Sequence, residues 1–209
     1  MRRLPVYLLV DTSGSMRGEP IEAVNNGIKS LTASLRQDPQ ALESVYLSIV
    51  TFDAQVKVVC ELTPLESFNA PPITTPDSGP THLGKALATL ANTVKNDVRK
   101  SSETQKGDWA PMLFTLSDGK ASDRLVFEES IPLIRAAGFA SIVGLAAGPK
   151  ANPDDLNKFC DHVAVMETMD GQSFSKFFQW VSEAINTGNR SGNIKGALPP
   201  PPAEITVDF

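Results

Sequence analysis

The chain has 209 residues, of which 41% are hydrophobic and 21% are charged, the ordinary balance of a soluble globular protein. This length favours one large domain over two very small ones. The formal net charge of −5 and the lack of any Lys/Arg block argue against a nucleic-acid-binding surface, which usually appears as a basic patch.

Apolar patterns predict strands and helices that alternate along the chain. The near-continuous apolar run at 6–10 is typical of a strand buried on both faces of a parallel sheet. Apolar residues spaced three and four apart over 19–36 predict a helix with one apolar stripe. In chain order, the predicted strands are 6–10, 45–52, 55–62, 112–116, 140–147 and 162–166. The predicted helices are 19–36, 83–98, 125–137, 154–160 and 173–185.

This order of elements predicts the fold class. Strands that alternate with helices form βαβ units, which assemble into a mostly parallel sheet with helices on both faces. Only Asp53 and Ala54 separate the second and third strands, so a hairpin is expected there. The predicted fold is α/β: a doubly wound, Rossmann-like, mostly parallel sheet of six strands with one antiparallel edge strand.

The C-terminal end differs in composition from the rest of the chain. We assign 1–187 to the α/β domain and 188–209 to a proline-rich tail, which holds four consecutive prolines at 199–202. The strand-like run 204–209 could add to a sheet edge by strand pairing.

The N-terminus and the cysteines bear on location. The apolar run after Arg2 and Arg3 meets Asp11 too early for a signal peptide, and no stretch approaches the roughly 18 apolar residues of a membrane span. We therefore expect a cytoplasmic protein with no membrane contact. Cys60 and Cys160 are far apart and sit beside apolar residues, so two buried, reduced thiols are expected.

Oxygen-bearing side chains follow two of the predicted strands. Asp11 ends the first strand and precedes Ser13 and Ser15, Asp118 ends the fourth, and Thr81 stands where the helix 83–98 begins. Ligands of doubly wound sheets bind at the carboxyl ends of the strands, so these side chains are expected to converge. Two carboxylates and three hydroxyls, without His or Cys, suit Mg²⁺ or Mn²⁺ better than zinc.

Each of these residues also has a simpler explanation. The segment 11–15 could cap the helix that follows, with Gly14 in a tight turn, and Thr81 could be only an N-cap. Asp118 and Gly119 could form only a turn. The metal-site hypothesis is favoured because it accounts for all of them together. Asp53 is interpreted as a hairpin residue rather than a sixth ligand.

The combined pattern is similar to that of the von Willebrand factor A domain family, over about 5–187. It consists of Asp-Xaa-Ser-Xaa-Ser after a first apolar strand, a Thr opening a later helix, and a strand ending in Ser-Asp-Gly. The resemblance implies a metal-ion-dependent adhesion site formed by Asp11, Ser13, Ser15, Thr81 and Asp118. It also implies a non-enzymatic binding module, in which an Asp or Glu of a protein partner completes the coordination of Mg²⁺.

Within that family, the runs LLVDTSGSM and GDWAPMLFTLSDG most resemble the compact, bacterial, TerY-type proteins of tellurium-resistance gene clusters. That resemblance implies a role in tellurite and related stress responses, with kinase-like and phosphatase-like partners. The proline-rich tail has no counterpart in the resemblance.

A Mg²⁺-dependent phosphohydrolase of the haloacid-dehalogenase type is the alternative. Such an enzyme also places a nucleophilic Asp at the end of a first parallel strand, and it needs a second Asp two residues later as general acid and base. Here that position is Ser13, whose hydroxyl does not titrate near neutral pH. We therefore predict no catalytic residue and no enzymatic activity.

Overall fold

The computed structural model describes residues 2–118, 120–149, 151–191, 198–203 and 205–208. The strands are β1 Leu4–Asp11, β2 Val45–Phe52, β3 Val56–Pro64, β4 Met112–Ser117, β5 Ser141–Ala147, β6 His162–Met166 and β7 Thr206–Asp208. The helices are α1 Glu19–Leu35, α2 Pro39–Ser44, α3 Leu83–Asp97, α4 Arg124–Arg135, α5 Asp154–Asn157 and α6 Gly171–Ser191, and Gly14–Met16 forms a 3₁₀ turn.

The described strands form one sheet in the order β3-β2-β1-β4-β5-β6-β7. β1 is parallel to both of its neighbours, β2 and β4, and the parallel pairing continues through β5 and β6. β3 lies antiparallel at one edge, as the hairpin prediction requires. The predicted α/β, doubly wound fold class is confirmed. The tail adds β7 as a short antiparallel strand beside β6, so the described sheet has seven strands and an antiparallel strand at each edge.

Helices cover both faces of the sheet, because the inner strands are apolar on both sides. In β1, Val6, Leu8 and Val10 point into the cluster that α1, α2 and α6 cover, and Tyr7 and Leu9 point into the cluster under α3, α4 and α5. The alternation of side chains along a strand produces this division.

Most predicted boundaries agree with the structure to within two residues, but three helices differ. α2 was not predicted. α5 ends at Asn157 rather than at 160, because the following residues form a tighter turn on the Leu156 carbonyl. α6 begins at Gly171, because Asp170 Oδ1 accepts hydrogen bonds from two N–H groups of its first turn, and it continues to Ser191.

The described part of the tail packs against its own domain. Trp180 on α6 donates its Nε1 hydrogen to the Pro199 carbonyl at 2.8 Å, and Ile205 is only 3% exposed. Thr206–Asp208 forms β7, whereas Glu204 and Phe209 of the predicted strand-like run lie outside the described residues. The proposed division of the chain at 187/188 stays a prediction.

The cysteines and the helices bear on two further predictions. Cys60 and Cys160 are both free, but only Cys160 is buried. Cys60 is half-buried rather than buried, because it lies on the edge strand β3. Within the described residues, no helix is both long enough and apolar enough to cross a membrane.

Candidate metal centre

The first carboxylate of the site lies at the end of the central strand. Asp11 closes β1 and is fully buried. Because β4 runs parallel beside β1, its last residue, Ser117, ends at the same edge, and the Ser117 hydroxyl donates to Asp11 Oδ2 at 2.6 Å. The register of two neighbouring strands therefore places Asp118 beside Asp11.

The turn after β1 brings Ser13 to the Asp11 carboxylate and Ser15 to Ser13. The Ser13 N–H donates to Asp11 Oδ1 at 2.8 Å, and the hydroxyls of Ser13 and Ser15 lie 3.1 Å apart. Met16 N–H donates to the Ser13 carbonyl and closes the 3₁₀ turn. The three oxygen-bearing side chains of the first motif thus form one local group.

Asp118 supplies the observation that distinguishes a ligand site from a turn. Its Oδ1 is buried and has no hydrogen-bond partner within the described part of the chain. The pKa of Asp11 is raised to about 6, mainly by burial and also by the negative charge of Asp118, although hydrogen bonds from Ser117 and Ser13 oppose this rise. Two neighbouring carboxylates, one with an unsatisfied buried oxygen, are unfavourable without a cation.

Thr81 is buried and is held between the other segments of the site. Its N–H donates to Ser122 Oγ at 2.9 Å, and the Ser122 N–H donates to the Thr81 carbonyl at 2.8 Å, which ties it to the loop that follows Asp118. On the other side, a Cβ on Gly14 would lie 3.0 Å from Ser78 Cα, so the segment before Thr81 touches the serine turn. The structure thus brings the loops of all five predicted residues together, although Gly119 lies outside the described residues.

Both carboxylate oxygens of Asp53 accept hydrogen bonds, one of them within the turn between β2 and β3. Its Oδ1 accepts from the Gln55 N–H at 2.8 Å, and its Oδ2 accepts from the Thr12 hydroxyl at 3.1 Å. Its carbonyl also accepts from the His82 N–H at 3.1 Å. Asp53 therefore links β2 to both the first motif and the start of α3, a role that the sequence pattern did not reveal.

Two further carboxylates, which the sequence analysis missed, hold the loop after Asp118. Asp123 Oδ1 and Oδ2 accept from the backbone N–H groups of Gly84 and Lys85, and so cap α3 from another segment. Asp155 is buried, and its Oδ2 accepts from the Ala121 N–H at 2.9 Å and from Arg124 Nη1 at 2.5 Å.

The charge state of Asp155 follows from these contacts. Burial raises its pKa, but the hydrogen bonds from Arg124 and Ala121 outweigh burial and hold the pKa below its usual value. No short sequence motif identifies the role of either carboxylate, because each accepts hydrogen bonds from residues more than thirty positions away.

The donor set determines which ions fit. No three His, Cys, Asp or Glu side chains group around a potential ion in the described residues, so the two carboxylates of this site are supplemented only by hydroxyls. Oxygen donors with two negative charges suit hard divalent cations such as Mg²⁺ and Mn²⁺. The residues present fit such an ion, and Asp118 Oδ1, which is buried and without a hydrogen-bond partner among the described residues, is an oxygen free to coordinate it.

Comparisons with known proteins bear on the family and the fold of the chain. Residues 6–120 match the family model described as the von Willebrand factor type A domain. No curated protein matches the chain. Among solved structures, a von Willebrand factor type A protein from Catenulispora acidiphila aligns at a TM-score of 0.68 with 16% identity and covers 87% of this chain and 42% of its own.

Two other solved structures show the same fold. The ArnB paralog VWA2 from Sulfolobus acidocaldarius aligns at a TM-score of 0.62 with 18% identity, covering 88% of this chain and 45% of its own. Proximal thread matrix protein 1 of the mussel byssus, described with a zinc-occupied MIDAS motif, aligns at a TM-score of 0.60 with 14% identity. The alignment covers 87% of this chain and 47% of the mussel protein. The chain therefore spans less than half the length of each of these three proteins.

Proposed function

Since the chain belongs to the von Willebrand factor type A domain family, we propose that its site binds Mg²⁺ or Mn²⁺ through Asp11, Ser13, Ser15, Thr81 and Asp118. Domains of this family are generally interaction modules without enzymatic activity. The single observation that carries the proposal is the buried Oδ1 of Asp118, which has no hydrogen-bond partner among the described residues and lies beside the buried Asp11. The zinc described in the mussel structure supports a divalent cation at such a motif.

The cation would serve recognition of a protein partner. When bound, it supplies a positive charge that an Asp or Glu of a partner can approach as an additional ligand. Asp11 and Asp118 would hold the ion, and the hydroxyls of Ser13, Ser15 and Thr81 would complete an oxygen donor set without adding negative charge. This leaves the ion with attraction for an external carboxylate.

Metal binding is tested by calorimetric titration of Mg²⁺, Mn²⁺ and Zn²⁺ into the chelator-treated chain. We expect one ion per chain for the wild type and a loss of binding in Asp118→Ala. The matched control is Asp154→Ala, which removes an exposed carboxylate at the start of α5. Equal binding by Asp118→Ala and the wild type would contradict the proposed ligand set.

Partner binding is tested by capture of proteins from a bacterial lysate on the immobilised chain, in Mg²⁺ and in chelator. The expected result is a partner that the wild type retains only in Mg²⁺ and that Asp118→Ala does not retain. Substitution of a surface Asp or Glu of that partner should also abolish capture. Captures that are identical in all conditions would show that recognition does not use the metal site.

The proposal that the chain is not an enzyme has a separate test. Asp11 already accepts hydrogen bonds on both oxygens, from the Ser13 N–H and the Ser117 hydroxyl, which lowers its availability as a nucleophile. We expect no Mg²⁺-dependent hydrolysis of a generic aryl phosphate. Turnover that Asp11→Asn abolishes would favour the haloacid-dehalogenase alternative.

The biological setting rests on the resemblance of two sequence runs to TerY-type proteins. From it we infer a role in bacterial tellurite stress, in the cytoplasm, with kinase-like and phosphatase-like partners. A strain that lacks the gene should regain tellurite tolerance with the wild-type chain but not with Asp118→Ala. Equal sensitivity with and without the gene would remove this part of the proposal.

A further inference from the structure

A second concave surface lies between α3 and α4, away from the metal centre. It is a groove of about 480 Å³. α3 begins beside Thr81 and runs away from it, and the groove starts at Ala91, about 12 Å along the helix at 1.5 Å per residue. Its apolar walls are Ala91, Val94 and Val98 on the α3 side and Leu133, Ala136 and Ala137 on the α4 side.

Helix α4 exposes large apolar side chains, one of them in the wall of the groove. Leu133 is 52% exposed, and the same helix exposes 74% of Leu125 and 41% of Val126. These are three of the four large hydrophobic residues that are exposed in the described part of the chain. Of these three, only Leu133 lines the groove, because Leu125 and Val126 lie about two turns earlier, at the end of α4 near the metal centre. Leu133 thus offers an exposed apolar contact within the groove.

Two cations line the same groove. Lys95 on α3 and Lys100 just beyond it are exposed, and neither forms an ion pair with a described residue. The backbone that carries Lys100 is held in place, because Asp108 Oδ2 accepts from the Arg99 N–H at 2.8 Å and Asp108 is itself paired with Arg3. In a chain of net charge −5, two unpaired lysines beside an apolar groove form a local site for a negative group.

Glu129 gives this surface a direction. It is exposed on α4 one turn before Leu133, and no ion pair joins it to a described residue. Glu129 is not among the residues that line the groove, so it repels a carboxylate only where a bound segment extends toward the start of α4, whereas Lys95 and Lys100 attract a carboxylate within the groove. The groove therefore favours one orientation of an acidic segment.

From these observations, we propose that the groove between α3 and α4 is a second docking site, which binds a short protein segment with an apolar side chain next to an Asp or Glu. The apolar side chain packs between Leu133 and Val98, and the carboxylate pairs with Lys95 and Lys100. The site needs no metal and does not depend on the proposed function of the metal centre.

The test uses a library of random linear peptides displayed on phage, selected on the full chain in chelator so that no cation contributes. Enriched peptides are then synthesised, and their affinities are measured by fluorescence anisotropy with and without Mg²⁺. We expect peptides in which Asp or Glu lies within two residues of Leu, Ile or Phe, with the same affinity in both conditions. Both Lys95→Glu and Leu133→Asp should weaken binding by about tenfold or more.

The controls separate the groove from general charge effects. Lys29→Glu makes the same charge change on α1, across the sheet from the groove, and should leave the affinity unchanged. Circular dichroism checks that each variant is folded. The proposal is overturned if no peptide is enriched, if the enriched peptides lack acidic residues, or if they bind both groove variants as well as the wild type. A dimer of the chain that Lys95→Glu dissociates would also overturn it, because a second copy would then occupy the groove.

Discussion

At Asp118 the buried Oδ1 has no hydrogen-bond partner in the described part of the chain, and its carboxylate lies near that of Asp11. A buried polar atom left unsatisfied costs about 1–3 kcal/mol, and a neighbouring like charge adds to that cost. The residue that the metal proposal needs most is therefore one that weakens the metal-free fold.

The substitution Asp118→Ala should accordingly stabilise the chain in chelator and remove its response to metal. We expect an increase of about 1 kcal/mol in the free energy of unfolding, or roughly 2–4 °C in the melting temperature for a domain of this size. Saturating Mg²⁺ should raise the melting temperature of the wild type but not of the variant, because an ion that binds only the folded state stabilises it.

Thermal unfolding followed by circular dichroism, with and without Mg²⁺, measures both effects. Asp154→Ala, which removes an exposed carboxylate, should behave like the wild type in both conditions. A variant Asp118→Ala that is less stable than the wild type in chelator would show that Asp118 stabilises the fold directly.

Asp155 should make the stability of the folded chain depend on pH. Its pKa in the folded chain lies below the usual value, because hydrogen bonds from Arg124 and Ala121 outweigh burial. It therefore contributes stability above its unfolded pKa of about 4, and this contribution is lost as the pH falls through the lower folded pKa.

Asp155→Asn should thus cost more stability near neutral pH than in acid. We expect a loss of about 1.5–3 kcal/mol near pH 7, the range for hydrogen bonds to a charged group, and a smaller difference from the wild type near pH 3. Urea unfolding at both pH values measures it, and Asp154→Asn is the matched control on the same helix. A difference that is equal at the two pH values would indicate a role for the side chain's shape rather than its charge.

At the scale of elements, the apolar pattern of the sequence predicted the strands and helices whose side chains are most deeply buried. Every strand that lies inside the sheet was predicted, because burial on both faces requires a nearly continuous apolar run. α2 was missed because a helix of six residues is too short to show a period, and only Ala41 and Ser44 of it are buried. The end of α6 was missed because polar pairs attach it there: Asn189 with Ser44, and Arg190 with Asp38.

The candidate site was predictable for the same reason, and only in part. Asp11 and Asp118 follow strands that are parallel neighbours, so the fold class alone places them at one edge. The arrangement around Thr81 was not predictable, because Ser122 and Asp123 act across about forty residues of intervening chain. Contacts between distant loops leave no periodic signal in a single sequence.

The crossing of α3 and α4 depends on one glycine. A Cβ on Gly84 would lie 2.2 Å from the backbone nitrogen of Phe127, and neither backbone can yield without moving a helix. Gly84 is also one of the two residues whose N–H is capped by Asp123. The first turn of α3 is therefore fixed both by close approach and by hydrogen bonding.

Gly84→Ala should destabilise the chain by about 1–3 kcal/mol, the usual cost of overpacking, and should also weaken metal binding because Thr81 lies three residues earlier. Gly171→Ala is the matched control, because a Cβ at that helical position meets nothing within 4 Å. The two variants are compared by urea unfolding and by titration with Mn²⁺. Equal stability of both variants would contradict the close packing of α3 on α4.

At the scale of the whole molecule, α3 and α4 connect two ends with different chemistry. Both helices begin beside the metal centre, where Asp123 and Ser122 hold them together, and both end at the groove. An ion with a bound carboxylate and a peptide in the groove would touch opposite ends of the same helices. Geometry therefore allows both proposed sites to be occupied at once.

The tail closes the sheet at the edge opposite β3. β7 covers the open side of β6, Ile205 of the tail is buried in the core of the domain, and the Pro199 carbonyl accepts a hydrogen bond from the indole N–H of Trp180. A chain that ends at Ser191 should therefore lose about 3 kcal/mol, from an apolar side chain worth about 2 and a hydrogen bond worth about 1. It should also aggregate more readily, because the exposed edge of β6 can pair with another chain.

Thermal unfolding and light scattering on the shortened chain measure these two losses separately. Ile205→Ala in the full chain should reproduce most of the loss in stability without the aggregation, because β7 still covers β6. Trp180→Phe should reproduce only the smaller part that comes from the hydrogen bond. If the shortened chain has the same melting temperature as the full chain and stays monomeric, the tail contributes nothing to the stability of the domain. The stability of the sheet would then rest on the strands before β7, and the packing of Ile205 and Pro199 would be incidental to it.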